Sequence, residues 1–162
     1  MLEVPLIYIK DKQAFTKVNG TLKIIGSAVE AVRKLSGDYK LIHIVDRDLE
    51  KGITTNFDIY DKLTYFINIQ VECNDEKIAE RLLELKARVV LKLPTKLPLE
   101  KWNERLLVGV IGDDEDAAGV HDVILLNPTK ERIEKYKEKR VMVFKKKWDK
   151  KTEVWAVILQ EF

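Results

Sequence analysis

The chain has 162 residues, 35 % of them charged, and a formal net charge of +2. This length predicts one domain over residues 1–162, large enough to bury a hydrophobic core. No run of about 18 apolar residues is present, which excludes a transmembrane helix. A single cysteine, Cys73, excludes an internal disulfide, and the first residues lack the pattern of a signal peptide. A cytoplasmic protein is therefore expected, and its Lys/Glu-rich composition is typical of thermophiles.

The first half of the chain alternates strand and helix patterns. Ser27 and Glu30 form a capping box at the start of the first helix, and Asn56 is expected to cap the second. Asn19 and Gly20 are a strong signal for a hairpin turn. The predicted strands are residues 4–10, 12–18, 21–26, 40–46, 67–73 and 88–94, and the predicted helices are residues 27–37, 56–66 and 74–87.

The second half is predicted to contain fewer helices. Its predicted strands are residues 106–112, 123–127, 140–148 and 152–162, and its predicted helices are residues 98–106 and 127–139. The last strand follows so closely that it returns either as a hairpin partner or through an unusually short connection. Repeated strand–helix alternation calls for a parallel sheet with helices outside it.

Three stretches resemble a known family. PLIYIKDKQAFTKVNG (residues 5–20) is similar to the opening of the phosphoribosyl isomerase and cyclase barrels of histidine biosynthesis. LIHIVDRDLEKG (41–52), followed by Asn56, resembles their second strand, and QVEC (70–73) with AERLLELKARVVL (79–91) resembles their third strand, third helix and fourth strand. The resemblance implies an α/β fold, a shortened (βα)8 TIM-like barrel. Because such barrels usually have about 250 residues, several helices are expected to be missing in the C-terminal half.

The family's catalytic acids are replaced in this sequence. Tyr8 stands where the first acid lies on strand one, and Ile111 stands where the second ends strand five, with Asp113 two residues further on. The family's ring opening and Amadori rearrangement need one group to protonate and another to remove a proton. Tyrosine, with a reference pKa of about 10, replaces a carboxyl group poorly at neutral pH. These departures imply that the parent isomerase activity is lost.

The family's glycine-rich phosphate loops are also replaced. Glu72, Cys73 and Asn74 follow strand three in place of a glycine run, and Lys92 replaces the glycine that ends strand four. Glycine lets backbone N–H groups approach an anion, whereas Glu72 would repel it. Lysines can still bind phosphate as point charges. The candidate phosphate-binding residues are Lys10, Lys92, Lys145 and Lys147.

Several acids and polar residues are candidates for the mouth of the barrel. Asp46, Asp48 and Asp113 are the candidate catalytic residues, and Asp46 and Asp48 could equally cap loops. Further candidate mouth residues are Asp11, Glu72, Cys73 and Asn127. Because Cys73 is next to Glu72, it could be a nucleophile with Glu72 as its base. The alternative interpretation is a buried structural cysteine.

Neither a metal site nor a cofactor is predicted. His43 and His121 have no ligand spacing. The run DDED (113–116) could gather a divalent cation through oxygens, or it is a solvated loop.

Positive charge is concentrated near the C-terminus. Residues 130–151 contain eleven Lys/Arg against four Asp/Glu, a net of +7. Residues 145–151, with Trp148, are predicted to form a basic hairpin tip. Phosphate contacts and base stacking need only such groups, so this tip could bind nucleic acid. The alternative is a solvated, lysine-rich surface.

Three functions follow from these patterns. The first is a divergent paralogue of the isomerase that binds a phosphorylated metabolite or a protein partner without the parent reaction. The second is an active isomerase or lyase on a related phosphosugar, using barrel-mouth carboxylates. The third is a nucleic-acid-binding module. Missing helices should also leave apolar strand exteriors uncovered, which predicts a homodimer.

Overall fold

Ten strands and four α-helices make up the computed structural model, which describes residues 1–162. The strands are β1 (Leu2–Lys10), β2 (Gln13–Val18), β3 (Thr21–Ser27), β4 (Leu41–Asp46), β5 (Asn68–Glu72), β6 (Arg88–Lys92), β7 (Leu107–Ile111), β8 (Asp122–Leu125), β9 (Arg140–Phe144) and β10 (Ala156–Leu159). The helices are α1 (Ala28–Leu35), α2 (Phe57–Leu63), α3 (Glu76–Glu84) and α4 (Lys130–Lys135). None of these helices has the length and apolar character needed to cross a membrane.

Eight of the strands form a closed parallel barrel. Its order is β1, β4, β5, β6, β7, β8, β9, β10, and β10 pairs with β1 to close it, with Leu2 opposite Ala156. The hairpin of β2 and β3 extends the sheet outward from β1 in antiparallel pairing. Three helices lie in the first half and one short helix in the second. The expected shortened TIM-like barrel is therefore confirmed.

Strand alternation divides the apolar residues into two cores. One fills the barrel interior, and the other lies between the strand exteriors and the surrounding helices and loops. The interior core contains Val4, Leu6, Leu41, Val45, Val90, Val108, Ile124, Met142, Ala156 and Ile158. Polar residues lie at each end of this interior core and line one pocket at each end of the barrel.

The helix predicted over residues 98–106 is wrong. This segment forms two short 3-10 turns, Leu99–Lys101 and Glu104–Leu106, joined by two extended residues. Each 3-10 turn makes only a few backbone hydrogen bonds, so the two turns do not join into a helix. The segment is a loop on the barrel surface.

Loops cover the strands that lack helices. Leu107, Val123, Val141 and Val157 all belong to the exterior core and are at most 4 % exposed. Side chains from the connecting segments pack against that core; they include Leu97, Leu99, Trp102 and Trp148. The expectation of uncovered strand exteriors is therefore wrong, because large side chains from loops replace the missing helices.

The predicted basic hairpin over residues 145–151 is also wrong. β9 and β10 pair in parallel, so the segment between them is a short crossover connection rather than a hairpin. Lys145–Lys147 form an exposed 3-10 turn. Trp148 packs on the exterior core, and its Nε1 donates to the Thr152 carbonyl at 2.8 Å. The indole ring is thus partly engaged in packing and remains partly exposed.

Candidate functional site

A pocket of about 240 Å³ opens at the end of the barrel where the strands finish, here called the C-terminal mouth. Its floor is apolar, and its charged side chains are Glu72, the last residue of β5, and Lys92, the last residue of β6. The lining residues are His43, Glu72, Cys73, Asn74, Val90, Lys92, Val110, Ile124, Leu126 and Phe144. Glu72 is the only carboxylate among them. In TIM-type barrels this end of the strands supplies the active site.

A chain of three polar side chains supports the Glu72 carboxylate. Glu72 Oε2 lies 2.7 Å from Nε2 of His43, and Nδ1 of His43 lies 2.8 Å from Nε2 of Gln70. Because the Gln70 amide donates to Nδ1, the network assigns the ring proton to Nε2, which donates to Glu72. The His43 side chain is 1 % exposed, whereas that of Glu72 is 46 % exposed. A buried imidazole therefore holds a solvent-facing carboxylate in one orientation.

Lys92 places a positive charge at the same pocket as this carboxylate. It follows Val90 by two residues, so both side chains point into the barrel. Its side chain is exposed, and β5 and β6 are neighbours in the sheet. The mouth thus combines one fixed acceptor, one exposed cation and an apolar floor. This set can bind an anionic group through Lys92 while Glu72 accepts from a hydroxyl or removes a proton.

Cys73 lies beside the pocket as an inert thiol. Its side chain is buried, and burial raises the pKa of the thiol. Sγ donates to the Asp75 carbonyl at 3.3 Å, and the Asp75 N–H approaches Sγ at 3.5 Å. The thiolate is the nucleophilic form of cysteine. These contacts favour the structural interpretation of Cys73.

Asp46 points out of the barrel. It is 2 % exposed and lies between β4 and α2. Its carboxylate accepts from the Asn56 side chain at 3.0 and 3.1 Å, from the Tyr60 hydroxyl, and from the backbone N–H groups of Asp48 and Leu49 at 2.8 and 3.0 Å. Burial, followed by the charge of Asp46, raises the pKa of Tyr60 well above its usual value. Asp46 therefore anchors the loop after β4.

Asp48 and Asn56 extend this anchor to the turn after β1. Asp48 Oδ2 accepts from the Asp11 N–H at 2.8 Å and from the Asn56 side chain at 2.9 Å. The Asp11 N–H lowers the pKa of Asp48. Asn56 stands at the N-cap position of α2, as predicted, but its Oδ1 accepts from the Lys12 N–H at 2.8 Å and makes no capping bond to the helix. Asp11 and Lys12 both have positive φ, a conformation that these bonds stabilise.

The other candidate residues lie away from the pocket. Asp113 is exposed and pairs with Arg132 at 2.5 Å, and Asn127 donates to the Gly112 carbonyl at 3.1 Å. Lys10, Lys145 and Lys147 are exposed and do not line the pocket. The mouth therefore collects Glu72, Cys73 and Lys92 from the predicted residues and not Asp46, Asp48 or Asp113. No group of three His, Cys, Asp or Glu side chains is placed to hold a metal ion.

Two residues of the site, His43 and Gln70, were missed as functional candidates. Strand alternation was the sequence pattern that could have identified them, because it indicates which side chains face the barrel interior. His43 has the same parity as the inward-facing Leu41 and Val45, whereas Asp46 has the opposite parity. Gln70 has the parity of Glu72 in β5, and pairs with His43 across the parallel strands.

Comparison with known proteins leaves the family open. No family model matches the sequence, and no curated protein matches it significantly. The strand order and barrel closure therefore establish the fold class by themselves.

Proposed function

We propose that the protein is a divergent paralogue of the phosphoribosyl isomerase and cyclase barrels, without the parent activity, that binds a small phosphorylated metabolite at the C-terminal mouth. The observation that carries this proposal is the pocket that places Lys92 and the supported Glu72 carboxylate over an apolar floor. A closed parallel barrel with its pocket at this end is the arrangement that the proposal requires.

The geometry of β1 and β7 supports loss of the parent chemistry. Tyr8 lies half-buried on the interior side of β1, in the place of the first family acid. Ile111 is 1 % exposed in the exterior core, and its inward-facing neighbour Val110 has no ionisable group. Asp113 is held outside by Arg132. A two-acid reaction across the mouth therefore lacks both of its original groups.

The size and charge of the pocket indicate its ligand. A pocket of about 240 Å³ is at the small end for ligand sites, which favours a compact molecule over one with two phosphates at opposite ends. Lys92 supplies one point charge, which suits one phosphate group. A pentose 5-phosphate satisfies both conditions, since its hydroxyls can donate to Glu72.

Replacing Lys92 is expected to weaken binding of ribose 5-phosphate. In calorimetric titrations at low salt, Lys92→Gln should raise the dissociation constant about tenfold, because the phosphate loses its cationic partner. Lys62→Gln is the matched control, since Lys62 is an exposed lysine on α2 outside the barrel. Equal affinities for the two variants would contradict the proposal. The isomerase's own bisphosphorylated substrate serves as the comparison ligand, for which we expect no turnover.

A second candidate function is enzymatic, and the His43–Glu72 contact favours it. A carboxylate fixed by a buried imidazole is suited to be a general base. Glu72 would remove the proton at C2 of an aldose phosphate, and the electron pair would form an enediolate whose oxygen Lys92 stabilises. Return of the proton, after exchange with solvent, to C2 would regenerate the aldose with solvent hydrogen at C2. Its return to C1, with the O2 proton moving to O1, would give the ketose. This is the isomerase-like or lyase-like alternative, with Glu72 as its base.

A second copy of the chain is the proposed partner. β3 is an outer edge of the sheet, and its Ile24 and Ile25 side chains are 60 % and 42 % exposed. Such an edge has free backbone groups that can pair with another strand. Sedimentation at micromolar concentration should give a dimeric mass, and Ile24→Lys should shift it to the monomer. A monomeric wild-type protein would overturn this proposal.

A further inference from the structure

A second pocket, of about 560 Å³, opens at the opposite end of the barrel, here called the N-terminal mouth. Four cationic side chains line it: Lys40, Lys86, Arg88 and Arg140. No carboxylate is among its lining residues, which otherwise include Trp155, Asn68 and several apolar side chains. Arg88 and Arg140 are the first residues of β6 and β9, so closure of the barrel brings them together.

One buried carboxylate serves both arginines. Asp122, the first residue of β8, is fully buried and pairs with Arg88. Arg140 donates to Asp122 through Nε at 2.7 Å and through Nη2 at 2.9 Å. His121 Nδ1 also lies 2.7 Å from Asp122. Both carboxylate oxygens are thus occupied, and one negative charge faces two guanidinium groups.

Arg88 remains incompletely satisfied. The residue is 8 % exposed, and its buried Nε has no hydrogen-bond partner. Burial, followed by the charge of Arg140, lowers the pKa of Arg88 to about 10. A buried cation that shares its counter-ion is stabilised by any further negative charge that approaches it.

Trp155 holds the two arginines in place. Its ring centroid lies 3.9 Å from the guanidinium carbon of Arg140 and 5.8 Å from that of Arg88. Guanidinium groups stacked on an aromatic face lose less freedom when they bind a planar or tetrahedral anion. Lys40 and Lys86 add exposed charges at the rim. The pocket is therefore preorganised and cationic, and it carries more positive charge than Asp122, the carboxylate buried behind it, can balance.

We propose that the N-terminal mouth is a second ligand site, which binds a small phosphate-bearing anion through Arg88, Arg140, Lys40 and Lys86. Arginine forks match the oxygens of a phosphate group, and the lysines supply point charges for its second negative charge. The volume is enough for a phosphate ester of metabolite size. This site is separate from the C-terminal mouth and does not depend on the function proposed there.

The test uses the full chain carrying Lys92→Gln, which removes the cation of the C-terminal mouth. Inorganic phosphate and ribose 5-phosphate are titrated at constant ionic strength, with the indole N–H signal of Trp155 as the readout. That signal is assigned with Trp155→Phe. We expect it to shift saturably with at least one of the two anions. Saturation by inorganic phosphate alone identifies the free ion as ligand, and tighter binding of the sugar identifies an ester.

Two further variants separate specific binding from general attraction of anions. Lys40→Gln with Lys86→Gln should raise the dissociation constant about tenfold, because two rim charges are lost. Lys62→Gln with Lys130→Gln removes two exposed charges from α2 and α4 and should change it less than about twofold. All four lysines are exposed, so these variants are expected to fold. An unmoved Trp155 signal, or equal weakening by both pairs, would overturn the proposal.

Discussion

Replacing Asp46 with alanine is expected to lower the free energy of unfolding by about 4 kcal/mol, the largest effect on stability anticipated for a single residue here. The change removes the common acceptor of the Asn56 amide, the Tyr60 hydroxyl and two backbone N–H groups. Asn56 and Tyr60 are both fully buried, so water cannot readily replace the lost carboxylate. The Tyr60 hydroxyl and the two backbone N–H groups lose their acceptor, at about 1–3 kcal/mol each, whereas the Asn56 amide keeps its bond to Asp48.

Urea denaturation followed by circular dichroism measures this effect. Asp61→Ala, an exposed carboxylate on α2, is the control and should change stability by less than about 0.5 kcal/mol. Tyr60→Phe removes a single donor and should cost about 1 kcal/mol, which keeps the test informative if Asp46→Ala does not fold. A loss below about 1 kcal/mol for Asp46→Ala would show that the anchor does not stabilise the fold.

Replacing Glu72 with glutamine is expected to abolish proton exchange if the enzymatic candidate is correct. Wild-type protein in D₂O should exchange the C2 hydrogen of ribose 5-phosphate, and Glu72→Gln should slow this at least about 100-fold. Glutamine has nearly the same shape and can accept from His43 Nε2, but its amide cannot take a proton. The predicted loss is therefore chemical rather than structural.

Proton NMR of the sugar measures this exchange directly. Glu84→Gln, an exposed carboxylate on α3, is the matched control and should leave the rate unchanged. Absence of exchange in the wild type would eliminate Glu72 as a base for this substrate and leave binding as the proposed function. Exchange that survives Glu72→Gln would assign the base to another group.

The candidate site was only partly predictable because alternation decides which residues share a face. Asp46 ends a buried strand that is similar to a family motif, and this favoured a place at the mouth. In the structure His43, three residues earlier, faces the interior, and Asp46 turns outward to meet α2. An odd separation along a strand puts two side chains on opposite faces. Parity thus separates the residues that line the mouth from those that anchor loops.

Long-range pairing accounts for what the local patterns missed. Glu72, Lys92 and Cys73 were recognised because each ends or follows a strand, and parallel strands finish at one end of a barrel. The contact of His43 with Gln70, and the meeting of the cations at the N-terminal mouth, depend on the register between strands that are far apart in the chain. Asp122 and Arg140, for instance, meet because β8 pairs with β9 in one register.

Local sequence patterns were sufficient for the parallel strand–helix alternation of the first half, the β2–β3 hairpin and the capping of α1 by Ser27, because periodicity and turn chemistry act over a few residues. The shortened barrel was predicted from the family resemblance. Barrel closure decided the rest. It made β10 a parallel neighbour of both β9 and β1, and the side chains of nearby loops, Trp148 among them, cover strands without helices. Closure also brought four cations to the N-terminal mouth, two of which, Arg88 and Arg140, pair with one buried carboxylate. These outcomes depend on how distant segments fill the same space, which no local pattern contains.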